Sequence, residues 1–167
     1  LDFTAVYNRE TTFFTGINGG AYTDFYYAIY RSNVLIENFQ FVTDLTAADE
    51  LRLEAEARFV RAICHWGAVK IYARPYGYTP DNSHPGVPLR LKSSQDPLPR
   101  APVGAVYAAI VEDLNFALLN LPSTNGVYAT QHAARAYLAQ VHFLMGDYAL
   151  AASYASFIIE SGDFTLD

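Results

Sequence analysis

Apolar residues recur at three- and four-residue spacing through most of this chain, and that period makes the α-helix its building block. Tyr26, Ile29, Tyr30, Asn33, Ile36 and Phe39 share one face of a helix expected over about residues 22–42. Val106, Ile110, Leu114, Ala117 and Leu121 do the same over about 103–121, up to Pro122. No stretch alternates convincingly with the period of a strand, so the predicted fold class is all-α. One segment breaks the pattern. Of the 8 prolines, all but Pro122 fall between Pro75 and Pro102, and irregular connections of this length are uncommon inside compact domains unless they carry function or act as linkers.

Punctuation sets the remaining boundaries. Thr46 followed by Asp49 reads as a capping box, in which the threonine oxygen takes an orphan N–H and the acid reaches back. It opens a helix over about 47–74, with Glu54 and Arg58 one turn apart in the favourable order. That helix must end before Pro75, because proline pushes the preceding residue out of the α region. Pro102 suits the first turn of the next helix, where a missing N–H costs nothing. The turn "STNGVYATQ" leads to a helix over about 131–145, Gly146-Asp147 breaks it, and a last helix runs over about 148–161. Residues 1–20 are Gly-punctuated and read as irregular. Ala139, Ala151 and Ala155 flank the Gly146-Asp147-Tyr148 turn as small residues do in tetratricopeptide hairpins, where two antiparallel helices approach closely. Helices 47–74 and 103–121 form a second expected hairpin, with 75–102 as the proline-rich connecting segment at its tip.

Composition narrows the function. A chain of 167 residues, 51% hydrophobic and 17% charged, is expected to fold as a single domain spanning 1–167 and to bury roughly 70% of its unfolded surface. The net charge of −6, with Lys70 and Lys92 the only lysines, leaves no basic stripe for phosphates, so nucleic acid is not an expected partner. Cys64 stands alone, which rules out a disulfide framework. No apolar run approaches the roughly 20 residues of a membrane span. The chain begins Leu1-Asp2-Phe3 without an initiating Met, so a processed N-terminal segment is compatible with it.

Catalytic and metal readings find little purchase. His65, His84, His132 and His142 show no zinc-ligand spacing, and Cys64-His65 are neighbours that face different ways on a helix. Glu54 with Glu56, or Glu112 with Asp113, lie close together on one helix instead of facing each other across a cleft as glycosidase acids do. "SHPG" and "GINGG" join no strand to a helix and are not phosphate loops. No enzyme activity, cofactor or metal is expected.

The aromatics point elsewhere. Phe, Tyr and Trp make up 15% of the chain. Flat rings stack on the apolar C–H faces of sugars while nearby Asn, Asp or Arg take the hydroxyls, which is the general pattern of a ligand site. Phe13, Phe14, Asn18, Tyr22, Phe25, Tyr26 and Tyr27 offer both kinds of group near a Gly-rich turn. Helix-borne Tyr26, Tyr30, Phe59, Tyr137 and Trp66 are expected to pack between hairpins. The candidate ligand residues are Phe13, Phe14, Asn18 and Tyr22, together with Tyr76, Tyr78, Asp81 and Asn82 in the proline-rich segment.

Three blocks in order, "EARFVRAICHWGAVKIYARPYG", "GVPLRLKSSQDPLPRAPVGAVYAAIVEDLNFALLNLP" and "ATQHAARAYLAQVHFLMGDYALAASYASFIIESGDFTL", with "YYAIYRSNVLIENF" upstream, resemble the SusD/RagB-like outer-membrane nutrient-binding lipoproteins of Bacteroidetes. The resemblance covers about residues 22–167. It implies a helical fold with tetratricopeptide-like hairpins and capture of oligosaccharides at the cell surface for a SusC-like TonB-dependent transporter. It also implies an N-terminal lipid anchor, for which this chain holds no lipobox cysteine. Family members are considerably longer, so the chain is read as a fragment or truncated member. The resemblance makes 75–102 an ordered linker lying outside the helical stack. A tetratricopeptide-like scaffold that binds protein or peptide in its concave face is the rival reading.

Overall fold

The computed structural model of the protein describes residues 4–10 and 16–164. After a single turn, α1 (Thr4–Tyr7), five long helices follow: α2 (Gly16–Asn38), α3 (Ala47–Tyr72), α4 (Val103–Asn120), α5 (Gln131–Met145) and α6 (Tyr148–Glu160). A 3-10 turn, Phe39–Phe41, extends α2. Among the described residues there is no strand, only an isolated bridge between Pro85 and Pro102. Each long helix packs on the next in sequence, in the order α2, α3, α4, α5, α6. The all-α, hairpin-built architecture is as the sequence predicts.

The boundaries follow local chemistry. Thr46 caps α3 by accepting the Asp49 N–H at 3.1 Å, but the reciprocal half of the box differs from expectation. The Asp49 carboxylate takes the Thr46 hydroxyl at 2.7 Å, because aspartate is one carbon shorter than the glutamate that normally reaches back. Ala73 is extended and ends α3 one residue before the position that Pro75 restricts. Pro102 sits just outside α4 in an extended conformation, at the cap position and not in the first turn. Thr130 caps α5 through the Ala133 N–H, and Gly146 closes it in the left-handed conformation at φ 85°, which glycine adopts without a Cβ clash.

The N-terminal boundary departs from the sequence reading. Gly16–Gly20 is helical, so α2 starts well before Tyr22. Each glycine costs about 1 kcal/mol in a helix, and here the cost is met by tertiary packing of the turns that follow. Phe25 lies so close to α3 that a Cβ on Gly67 would sit 2.7 Å from its ring. Gly67 therefore sets the distance between α2 and α3.

The core runs along α3. Ala55, Phe59, Ala62, Trp66 and Val69 meet Val103, Val106, Tyr107, Ile110 and Leu114 from α4, with Ala134, Leu138 and Val141 from α5. By length and composition α4 could cross a membrane, with a mean hydropathy of 1.3, contrary to the expectation that no run comes near. Its place between α3 and α5, with buried Asp113 on it, is that of a core helix.

Candidate ligand groove and the latch beneath it

The proline-rich segment is a strap with its ends tied together. The Gly86 N–H donates to the Ala101 carbonyl at 2.7 Å, the Ala101 N–H to Val87 at 3.0 Å, and the Val103 N–H to His84 at 3.0 Å. Arg100 donates to the carbonyls of Tyr72, Pro85 and Gly86, which joins this closure to the end of α3.

The middle of the strap is held by buried polar groups. Asn33 on α2 is fully buried, and its Nδ2 donates to the carbonyls of Arg90 at 3.1 Å and Lys92 at 3.0 Å. Arg61 on α3 donates to Asn33 Oδ1 at 2.7 Å and grips Asp113 of α4 through two further 2.7 Å bonds. Burial pushes the Asp113 carboxyl up, and the Arg61 and Arg58 guanidiniums draw it back down only in part. His65 completes the latch. Its Nδ1 lies 3.0 Å from the Arg61 carbonyl and its Nε2 takes the Arg90 N–H at 3.3 Å. That pair of bonds needs a neutral ring protonated on Nδ1, in keeping with a pKa that burial lowers to about 4. Tyr26 adds a 2.7 Å bond from its hydroxyl to the Pro88 carbonyl. At the outer edge, Glu37 accepts from the Ser93 N–H and hydroxyl, and these bonds hold its carboxyl below the usual range.

Between the strap and α2 lies a groove of about 410 Å³, lined by Tyr22, Thr23, Tyr26, Tyr27, Tyr30, Arg90, Ser94 and Gln95. Tyr22, Tyr26 and Tyr30 succeed one another at single-turn spacing, so they fall on one face of α2. The Tyr22 ring packs on Tyr26 at 4.5 Å and on Tyr72 at 5.2 Å. Arg90 is held in place there, since it donates to the carbonyls of Ser94 and Asp96 at 2.6 and 2.7 Å. An apolar floor with hydroxyl, amide and guanidinium groups at its rim has the chemistry to hold a polyhydroxylated ring.

The sequence-nominated residues are scattered. Tyr22 lines the groove. Phe13 and Phe14 lie outside the described residues, and Asn18 falls in α2 with its side chain likewise outside them. Tyr76 packs on Tyr107 at 4.9 Å, and exposed Tyr78 lies beneath the Arg74 guanidinium at 4.4 Å. Asp81 accepts the Ser83 N–H. Asn82, at φ 54°, accepts the Gly77 N–H. These last two shape a turn, and none of the four strap residues lines the groove that holds Tyr22. Tyr26 packs against the core as read and also borders the groove, Tyr30 borders the groove, and Phe59 and Trp66 are buried as expected against Tyr137 at 5.5 Å each. Arg90, Ser94 and Gln95 escaped the sequence reading altogether.

A second groove, about 620 Å³, lies among α3, α5 and α6 and is mostly apolar. Trp66, Ala139, Phe143, Leu144, Tyr148 and Ala151 line it, and Lys70 lies 3.3 Å over the Trp66 ring. Cys64, whose thiol burial pushes up to about 11, is unsuited to nucleophilic chemistry. Each histidine has a protein neighbour: His84 meets Thr79, His132 meets Asp163 and His142 meets Asp147.

Comparison with known proteins agrees with this architecture. A family described as SusD-like, starch-binding and associating with the outer membrane, matches residues 2–143. A curated relative, SusD-like protein P25 of Formosa agariphila, is 27% identical over 113 residues, which is 68% of this chain and 19% of that protein. A crystal structure of a SusD superfamily protein from Bacteroides thetaiotaomicron superposes with a TM-score of 0.76 at 27% identity, covering 86% of this chain and 32% of that one. A laminarin-binding SusD-like protein gives a TM-score of 0.65 at 26% identity, covering 80% of this chain and 28% of its own. The chain thus spans a third or less of the length of the relatives it matches. A helical stack with this strap, matched to one family over most of its length, belongs to the SusD-like family of carbohydrate-binding proteins.

Proposed function

We propose that the protein to which this chain belongs captures oligosaccharides without chemically altering them. It works at the cell-surface side of the outer membrane as a lipoprotein and passes its ligand to a SusC-like TonB-dependent transporter. The observation that carries this reading is the match of residues 2–143 to a starch-binding, outer-membrane-associated family. The tyrosine-lined groove supplies the matching chemistry: an aromatic surface with a rim of hydrogen-bonding groups. A similar fold in a laminarin-binding protein supports a glycan as the ligand. Tyr22 is the sequence-nominated residue retained as a sugar contact.

Two measurements test the proposal. Calorimetric titration of the parent protein with malto- and laminari-oligosaccharides should give saturable binding with no product formed. Affinity purification from the outer membrane should recover a TonB-dependent transporter. Binding of peptides with no response to any glycan would favour the scaffold reading, which draws its support from the apolar groove among α3, α5 and α6.

A further inference from the structure

Helix α6 is out of keeping with its place at the edge of the stack. Between Tyr148 and Ile159 it carries no charged side chain, yet Ala151 is its one buried residue. A helix that is apolar on all sides belongs inside a protein. Here Tyr148, Phe157 and Ile159 are exposed, and so are Phe143 and Leu144 at the end of α5. The Arg135 guanidinium covers one face of Phe157 at 3.7 Å and leaves the others open. Stacked helical hairpins end on a unit with a polar outer face, and α6 does not supply one.

The groove of about 620 Å³ beside α6 is unfinished at its opposite wall as well. Trp66 lines it and is buried, but its indole Nε1 has no hydrogen-bond partner among the described residues. Buried polar groups in folded proteins are nearly always paired. Ala139, Ala151, Ala152 and Ala155 also line the groove, and small side chains at a contact let a further helix approach closely. A helix satisfies its own backbone groups. A strand or loop would instead bury N–H and carbonyl groups, and Gln140 and Lys70 in this lining are too few to meet them.

We propose that the groove among α3, α5 and α6 seats an apolar helix from the part of the parent protein that follows residue 167. The source is argued from length and place. The chain spans 32% of the superfamily structure and 19% of the curated relative that it resembles. A segment following residue 167 leaves the fold beyond the end of α6, which borders the groove, so its connection can be short. Joined in this way, it reaches the groove at an effective concentration on the order of millimolar, which a separate partner must match by affinity. The inference goes beyond the carbohydrate reading and does not depend on it. It also takes the concave apolar face away from the rival scaffold reading, because the groove is filled from within the same protein.

The test is hydroxyl-radical footprinting of the unmodified parent protein, read residue by residue by mass spectrometry. Tyr148 and Tyr128 form a matched pair, 64% and 67% exposed, of which Tyr148 alone lines this groove. With each rate normalised to the unfolded protein, Tyr148 and Phe143 should react at least about fivefold more slowly than Tyr128. Equal rates overturn the proposal. A benzophenone photo-cross-linker placed at exposed Gln140, in the groove lining, then identifies the occupant. The expected product is a cross-link within one chain, to a peptide that follows residue 167. A cross-link to a second copy or to another protein overturns the assignment, as does protection of Tyr148 that is lost on dilution. Neither measurement involves a glycan, so failure here is distinct from failure of the carbohydrate reading.

Discussion

The two faces of α3 are held by different forces. Towards α2 and the strap, the contact is polar: Asn33, Arg61, His65 and Asp113 are all buried, and together they reach three successive backbone positions, 90 to 92. Towards α5, and on to α6, it is apolar: Trp66 and Phe59 pack edge-on against Tyr137, and Ala134, Leu138, Val141 and Ala151 are buried. The reason lies in what is being held. Helices satisfy their own backbone groups and need only a complementary surface. An irregular segment brings free carbonyls and N–H groups, and each must find a partner before it can be buried. The polar face is therefore where the chain can present fixed, non-helical groups to a ligand.

The largest effect is expected from breaking the latch at its charged centre. Arg61→Ala leaves buried Asp113 without its two short bonds and with only Arg58 at 3.6 Å; losing a buried partner costs up to about 3–5 kcal/mol and should show as a large drop in the denaturant midpoint. A paired Arg61→Met, Asp113→Leu variant removes both charges and should recover much of that stability while the carbonyls of Leu91 and the Asn33 side chain lose their donor. Recovery of the strap's amide-exchange protection in the pair as well would mean that the latch is not what holds the strap.

Acid should act on the same face. The folded-state pKa of His65 lies near 4, below the ordinary value of 6.5. Between these two pH values the unfolded chain takes up a proton that the folded chain refuses, so stability falls as pH falls. The contribution is fully present above about pH 6.5 and is lost as pH drops through about 4, amounting to roughly 3 kcal/mol for a shift of this size. His65→Gln, which cannot titrate, should flatten that part of the stability profile. A wild-type profile as flat as the variant's would count against the neutral histidine.

On the other face, small residues set the spacing. Ala151 is 7% exposed, and Ala151→Leu should overpack the last hairpin by about 1–3 kcal/mol. Both alanines border the apolar groove, but Ala139 is only half-buried, so Ala139→Leu meets fewer fixed neighbours and should cost less. Equal losses at the two positions would show that the groove closes in solution.

This contrast also explains what could be read from the sequence. Helices α3 to α6 were legible because the 3.6-residue period and the caps at Thr46, Thr130 and Gly146 are local signals. The start of α2 was not, because glycines at 16, 19 and 20 carry a turn signal that packing overrides. The course of the strap was illegible for a different reason. It depends on buried polar side chains at 33, 61 and 65, which lie on two other helices and meet it only once the fold has formed. Tyr22 could be nominated from its composition-rich neighbourhood, whereas Arg90, Ser94 and Gln95 become groove residues only through that long-range docking.

The smallest effect is the most specific. Tyr26→Phe removes one oxygen, the donor to the Pro88 carbonyl, and leaves the ring to pack on Tyr22 at 4.5 Å and near His65 at 6.4 Å. Burial pushes the Tyr26 hydroxyl well above the ordinary phenol range, so it stays protonated and donates at neutral pH. The net loss for one such bond is about 0.5–1.5 kcal/mol. Its location matters more than its size. Pro88 lies just before the triplet held by the latch, so losing this bond should raise amide exchange at Leu89 and Arg90 while amides in α5 and α6 stay unchanged. If exchange instead rises evenly along the chain, Tyr26 stabilises the fold as a whole and the strap has no separate anchor on α2 at that point.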